Sequence, residues 1–308
     1  MAGNGLGGDT RSPLVAMAKS AATTAALAAA LTVAGAARAD DEVPPVHDGL
    51  TYVQHLALEA KAHHPGVRSI VVEGKRDGDA APVVLASTID RGTVLGPVAH
   101  PAPTSGSMVH AGALVVHEAY VSSTGHAIGS VTVTFAARRG APVAAQRRTA
   151  HVIATELAHA TLSAKNAADP YPYDPTWGPT TYAQALTART VARHPDLLVM
   201  MIHATPPGAK TNIIIGSNIG RFGKAADEDD ARVIDKGETN LEIGGEKDRF
   251  ETELPLNDAS GKRIGALGLV FGYHDGADKE AIHRHGLAIR DEIARQIPSS
   301  AALFRPAR

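Results

Sequence analysis

The sequence predicts an α+β fold built twice: two modules in tandem, each an antiparallel sheet with a leading and a trailing helix. Three observations predict it. The second half of the chain repeats the first at a nearly constant offset. Within each half, β-branched runs with strand character lie between two segments of helical spacing. A proline-rich stretch, Asp169-Pro170-Tyr171-Pro172-Tyr173-Asp174-Pro175, separates the halves and reads as a stiff connector.

The repeat is visible residue by residue. Thr51-Tyr52-Val53-Gln54-His55-Leu56 recurs as Thr181-Tyr182-Ala183-Gln184-Ala185-Leu186, and His64-Pro65 as His194-Pro195. Ser87-Thr88-Ile89-Asp90-Arg91 recurs as Ser217-Asn218-Ile219-Gly220-Arg221, again 130 residues on. Past a six-residue insertion the offset becomes 136: Gly125, Ile128, Gly129 and Phe135 match Gly261, Ile264, Gly265 and Phe271, while Ile153 and Glu156 match Ile289 and Glu292. A period this long is a domain duplication, not a solenoid repeat.

Each copy opens with a helix that His64-Pro65 or His194-Pro195 ends, because a residue before proline avoids the helical region. Strands follow at 67–72 and 83–86 in the first copy, and at 197–202 and 212–215 in the second. The middles differ. Residues 92–112, rich in Pro, Gly, Ser and Thr, read as loop. Residues 224–236 read as a helix, with Asp227, Glu228, Asp229 and Asp230 near its start and Gly237 as its C-terminal cap. A three-stranded meander at 241–243, 249–256 and 263–273 then closes the second sheet, and a final helix spans 279–296, as 144–163 does in the first copy.

The order helix, two strands, variable middle, three strands, helix is that of a PAS-like module. The segment Pro255-Leu256-Asn257-Asp258-Ala259-Ser260-Gly261-Lys262-Arg263-Ile264-Gly265-Ala266-Leu267 resembles the closing hairpin of extracytoplasmic Cache sensor domains. Ser122-Ser123-Thr124-Gly125-His126-Ala127-Ile128-Gly129 resembles it more distantly. The resemblance implies two tandem sensor-type modules over residues 48–297. Double Cache regions usually sit between two membrane spans and feed an output domain. No second span and no output domain is recognisable here, and the Arg, Trp and Tyr signature of one amino-acid-binding Cache class is absent.

The N-terminal residues read as an export signal. Arg11 and Lys19 precede an uncharged, Ala-rich stretch from Ala21 to Ala36, and Ala37-Arg38-Ala39 offers small residues at the −3 and −1 positions of a signal peptidase site. The expected organisation is a signal peptide over 1–39, a first module over 40–168, a connector over 169–180 and a second module over 181–308. No membrane span is expected after signal cleavage, and the expected location is periplasmic or secreted.

Several chemistries are excluded by composition. With no cysteine there is no disulfide, no thiolate nucleophile and no cysteine metal site. A formal net charge of −2 gives no basic field for nucleic acid. Neither a phosphate loop, a dinucleotide fingerprint nor a Gly-x-Ser-x-Gly elbow is present. Asp227 to Asp230 lack the alternating spacing of a calcium loop. His283 and His285, two apart, point to different sides of a helix, and His64 and His194 read as helix-end residues.

What remains favours binding over catalysis. Arg91 and Arg221 occupy equivalent places just after the second strand, where a PAS-like sheet hands over to its pocket-lining middle, and arginine grips a carboxylate or phosphate with paired hydrogen bonds. Ser217, Asn218 and Lys224 flank Arg221. The expectation is a small anionic ligand held by Ser217, Asn218, Arg221 and Lys224 in the second module, with Arg91 as its first-module counterpart, and neither cofactor, metal nor catalytic residue. An envelope accessory protein acting through its surface is the alternative, and an unrecognised hydrolase the third reading.

Overall fold

Thr51 and Thr181 begin the two modules in the same way. Each hydroxyl accepts a hydrogen bond from the backbone three residues on, Thr51 from Gln54 and Thr181 from Gln184, and so caps a helix. Each glutamine then docks that helix onto the sheet. Gln54 accepts from the Ser87 N–H at 2.8 Å and donates to its carbonyl at 2.9 Å; Gln184 accepts from the Ser217 N–H at 2.8 Å. The repeated Thr-x-x-Gln thus fixes both where the helix starts and which strand it meets.

The computed structural model describes residues 50–307, apart from 77, 90–104, 137–139, 141 and 245. The export signal of the sequence reading, and Arg91, lie outside the described residues. The first module runs β1 (Leu50–Thr51), α1 (Tyr52–His63), β2 (Val67–Gly74), β3 (Val83–Ser87), β4 (Gly106–His110), β5 (Ala113–Val121), β6 (Ala127–Phe135), α2 (Val143–Ala160) and α3 (Ala164–Ala167). After β7 (Pro170–Tyr171), the second runs α4 (Tyr182–Arg193), β8 (Leu197–Ala204), β9 (Ile213–Ser217), α5 (Glu228–Lys236), β10 (Asn240–Ile243), β11 (Arg249–Asn257), β12 (Arg263–Gly272), α6 (Lys279–Ala294) and α7 (Ser300–Leu303).

The two sheets share one topology. Their strand orders are β3-β2-β6-β5-β4 and β9-β8-β12-β11-β10, every pair antiparallel. The chain is therefore α+β, two tandem modules of PAS-like strand order. Strand alternation gives each sheet two faces. In the first module Ile70, Val72, Val131 and Val133 pack with Ile153 and Leu157 of α2; in the second Met200, Ile202, Leu254 and Leu269 pack with Ile289 and Ile293 of α6. Among the described residues, no helix is long and apolar enough to cross a membrane.

Two expectations need correction. Within the segment read as loop, Gly106–His110 forms strand β4, paired through its backbone with β5 from His117 to Ala113. The helix expected from 224 starts only at Glu228, because Asp227 leaves the helical region and caps it. Asp227 accepts from the backbone of Asp229 and Asp230, while the Asp230 side chain accepts from the Asp227 N–H at 3.0 Å. Gly237 closes the helix at φ 74°, in the left-handed region.

The modules are joined by packing as well as by chain. β1 pairs with β7 of the connector, and the backbone of Tyr173 and Asp174 donates to the Phe222 carbonyl. Tyr52 of the first module packs with Val199, Met201, Ile214, Ile219 and Val270 of the second, and its hydroxyl donates to the Asn218 carbonyl at 3.3 Å.

Candidate functional site

The face of the second sheet turned away from α4 and α6 carries the site. Strand alternation places Glu251 and Glu253 of β11 there, since Thr252 and Leu254 point to the helices. His203 of β8 joins them by the same rule, between the helix-facing Ile202 and Ala204. Pairing sets the spacing across strands: Glu253 lies opposite Gly268, which lies opposite Met201, while His203 lies between Ala266 and Ile214. Helix α5 packs over β11 and β12 and lowers Asp230 toward the same surface.

Between them lies a cavity of about 150 Å³. Six carboxylate residues line it: Asp227, Asp229, Asp230, Glu242, Glu251 and Glu253. The cations on its wall are Arg221 and Lys224. Asp229 is turned to Arg232, and Glu253 accepts from the Asn240 side chain at 3.2 Å.

His203 is the anomaly. It is 2% exposed, its Nε2 lies 3.5 Å from Asp230 Oδ1, and neither ring nitrogen has a hydrogen-bond partner among the described residues. A buried polar group left this way costs free energy unless something pairs with it. Burial pulls its pKa down to about 4, so the ring is neutral at pH 7 and its approach to Asp230 is not an ion pair. Burial pushes the carboxyls the other way. Asp230 rises to about 6 despite the backbone hydrogen bond from Asp227. Glu251 rises to about 7 through burial and then the neighbouring Glu242, and Glu253 to about 7 through burial and then Asp230 and Glu251. These groups change charge near neutrality and face one small space. In chemical terms, a cation entering such a space would take the place of protons on these carboxyls.

The residues expected from sequence fall into two sets. Arg221 and Lys224 do line this cavity. Arg221 is also tied to the connector: its Nε donates to Asp169 Oδ2 at 3.1 Å, and Asp169 accepts in addition from the Tyr173 hydroxyl at 2.8 Å and the Asn166 amide at 3.2 Å. Ser217 turns its hydroxyl to the backbone N–H groups of Ile219 and Arg221. Asn218 stands in for a strand partner, accepting from the Met200 N–H and donating to the Leu198 carbonyl, both at 2.9 Å. Ser217 thus spends its hydroxyl on the bend after β9, and Asn218 its amide on the backbone of β8. Sequence reasoning passed over His203, Glu251 and Glu253, and took Asp230 only as part of a helix start. The signal for the glutamates was there, as two carboxylates at strand period among apolar residues.

The first module has a cavity on the equivalent face, about 450 Å³, whose described lining includes Lys61, Arg68, His110, Ser69, Thr88 and Thr134 and no carboxylate.

No protein-family model matches the chain, and no curated protein matches it. Two solved structures align loosely. The Agobacterium tumefaciens repressor BlcR gives a TM-score of 0.27 at 10% identity over 38% of this chain and 67% of its own. An RNA-binding light-oxygen-voltage receptor gives 0.19 at 13% identity over 86% of this chain and 93% of its own. Neither alignment bears on function, which rests on the residues of this chain.

Proposed function

We propose that this chain is an exported, non-catalytic binding protein of the PAS-like, Cache-related sensor type, whose second module takes a small organic cation of the ammonium or guanidinium class. The observation that carries the reading is His203, buried without a hydrogen bond on the wall of a cavity otherwise dominated by carboxylates. A donor from an amine completes the imidazole, and Asp230, Glu251 and Glu253 supply the counter-charge. A space of about 150 Å³ has room for roughly five waters, hence for a ligand of a few heavy atoms. The ligand sign differs from the anion expected at Arg221, because Asp169 already neutralises that guanidinium. The Ala-rich segment ending at Ala37-Arg38-Ala39 supports export, and the hairpin at Asn257–Lys262 supports the sensor-type assignment.

A thermal-shift screen of the full chain at pH 8 against small amines, guanidines and carboxylates tests it. A cation at a hundred times its Kd adds about 2.7 kcal/mol. Asp230→Asn and Glu253→Gln are each expected to weaken that shift severely. Stabilisation by anions alone, retained in Asp230→Asn and lost in Arg68→Ala, would move the site to the first module and overturn the reading.

A further inference from the structure

A second cluster lies at the far end of the same module. His194 caps the C-terminus of α4, Asp196 precedes β8, and His285 projects from α6. Each offers one ligand atom, and these atoms all lie within 4.8 Å of one another. His285 Nε2 is 3.3 Å from Asp196 Oδ2, and the imidazoles of His194 and His285 have centroids 5.5 Å apart. His285 Nε2 is a buried atom without hydrogen-bond geometry to any partner among the described residues. Asp196 and His285 also line a cavity of about 490 Å³ walled by Leu198, Phe271 and Ile282.

The duplication separates what is structural here from what is added. His64 of the first module meets Glu156 at 3.0 Å, as His194 meets Glu292 at 3.2 Å, so the His–Glu pair belongs to the shared scaffold. By the repeat offsets, Asp196 stands where the first module has Gly66, and His285 where it has Thr149. Only the second module adds an oxygen and a second imidazole to the pair. Glu292 bonds both His194 and Arg193, and so holds the His194 ring from outside, as an outer carboxylate orients a metal-bound imidazole.

We propose that His194, Asp196 and His285 form a zinc-binding site, with further coordination open toward the adjoining cavity. The donor set of two imidazoles and one carboxylate suits zinc, and a tetrahedral ion with bonds of roughly 2.0–2.2 Å keeps ligand atoms about 3.4 Å apart. Asp196 and His285 already stand at that spacing. The other described group of three ligand residues, His126, Glu246 and Asp248, has Arg249 at 3.4 Å from Asp248 and 3.8 Å from Glu246, and is better explained as an ion-pair cluster between modules.

The test is a zinc titration of the untagged full chain in competition with a chromogenic chelator. One tight equivalent is expected. Asp196→Asn and His285→Gln are each expected to weaken it at least tenfold, whereas His64→Gln and His126→Gln leave it unchanged. Asp196 is solvent-facing, so its variant keeps the fold, and the melting temperature of each zinc-free variant checks this. Cobalt supplies a second readout: the visible absorption of a four-coordinate site, present in the parent and lost in Asp196→Asn. Absence of a tight equivalent, undiminished affinity in Asp196→Asn and His285→Gln, or loss only in His126→Gln overturns the assignment.

Discussion

The two modules agree on one face of their sheets and differ on the other. Facing the helices, both carry aliphatic side chains in the same register, because each must fill the same space against two helices. On the far face the row Val115–Thr134–Ser69 of the first module corresponds to Glu251–Val270–Val199 of the second, and His117–Thr132–Val71 to Glu253–Gly268–Met201. Glu73 and His203 are equivalent, as are His117 and Glu253, so an acid and a histidine have exchanged places. His117 is bonded through Nδ1 to Thr132 Oγ1 at 2.9 Å, while His203 has no such partner. The cavity walls carry opposite charge, Lys61 and Arg68 against a majority of carboxylates. Packing holds the inner face; the outer face was left to diverge.

The largest expected effect tests the shared face. Gly129 and Gly265 are equivalent, and a Cβ on either would overlap a carbonyl oxygen of the neighbouring strand, that of Glu73 or of His203. Gly129→Ala and Gly265→Ala are each expected to cost about 3 kcal/mol, read from urea unfolding of the full chain. Similar losses at the two positions support a common scaffold; a loss at one alone breaks the comparison.

A smaller effect separates scaffold from site at Arg221. Removing the guanidinium leaves Asp169, 8% exposed, with Tyr173 and Asn166 as its side-chain partners among the described residues. Arg221→Ala is expected to lose about 2 kcal/mol of stability while cation binding in the second module survives. Unchanged stability with abolished binding would make Arg221 a ligand residue instead.

Regular elements were legible because their patterns are local. Helix ends at His64 and His194 follow from the next residue being proline, and the meander from alternating apolar positions and the Asn257–Lys262 turn. Strand β4 escaped because Gly106–His110 has little apolar alternation and is held by backbone pairing with β5. The site was less legible. His203 interrupts an apolar run, and nothing in Leu-Leu-Val-Met-Met-Ile-His-Ala says that its ring will be buried unpaired. The tie from Arg221 to Asp169 spans 52 residues and depends on how the connector folds back. His285 meets Asp196 only once α6 lies against the start of β8.

The smallest effect concerns the titrating carboxyls, and its sign distinguishes the modules. Glu251 and Glu253 have folded-state values raised from 4.5 to about 7. Between those values the folded state holds protons that the unfolded chain has released, so their contribution is present below about pH 4.5 and is lost as pH rises through about 7. His203, lowered from 6.5 to about 4, acts oppositely and only below about pH 6.5. From there to slightly above neutrality the glutamates act without it. A Glu251→Gln, Glu253→Gln double variant keeps the neutral form at every pH. It is expected to match the parent near pH 4.5 and to exceed it by roughly 1–2 kcal/mol at pH 8, after discounting for solvent access. Cation affinity is expected to move the other way, rising in the parent as pH passes 7 and staying low in the variant. At the first-module positions equivalent to these glutamates stand Val115, which does not titrate, and His117, whose pKa burial lowers and which therefore acts in the opposite sense, so the first module does not reproduce this slope. Urea unfolding at pH 5, 7 and 8 reads it directly, and a parent whose stability does not fall from pH 5 to 8 relative to the double variant would show that these carboxylates are already paired in the folded protein.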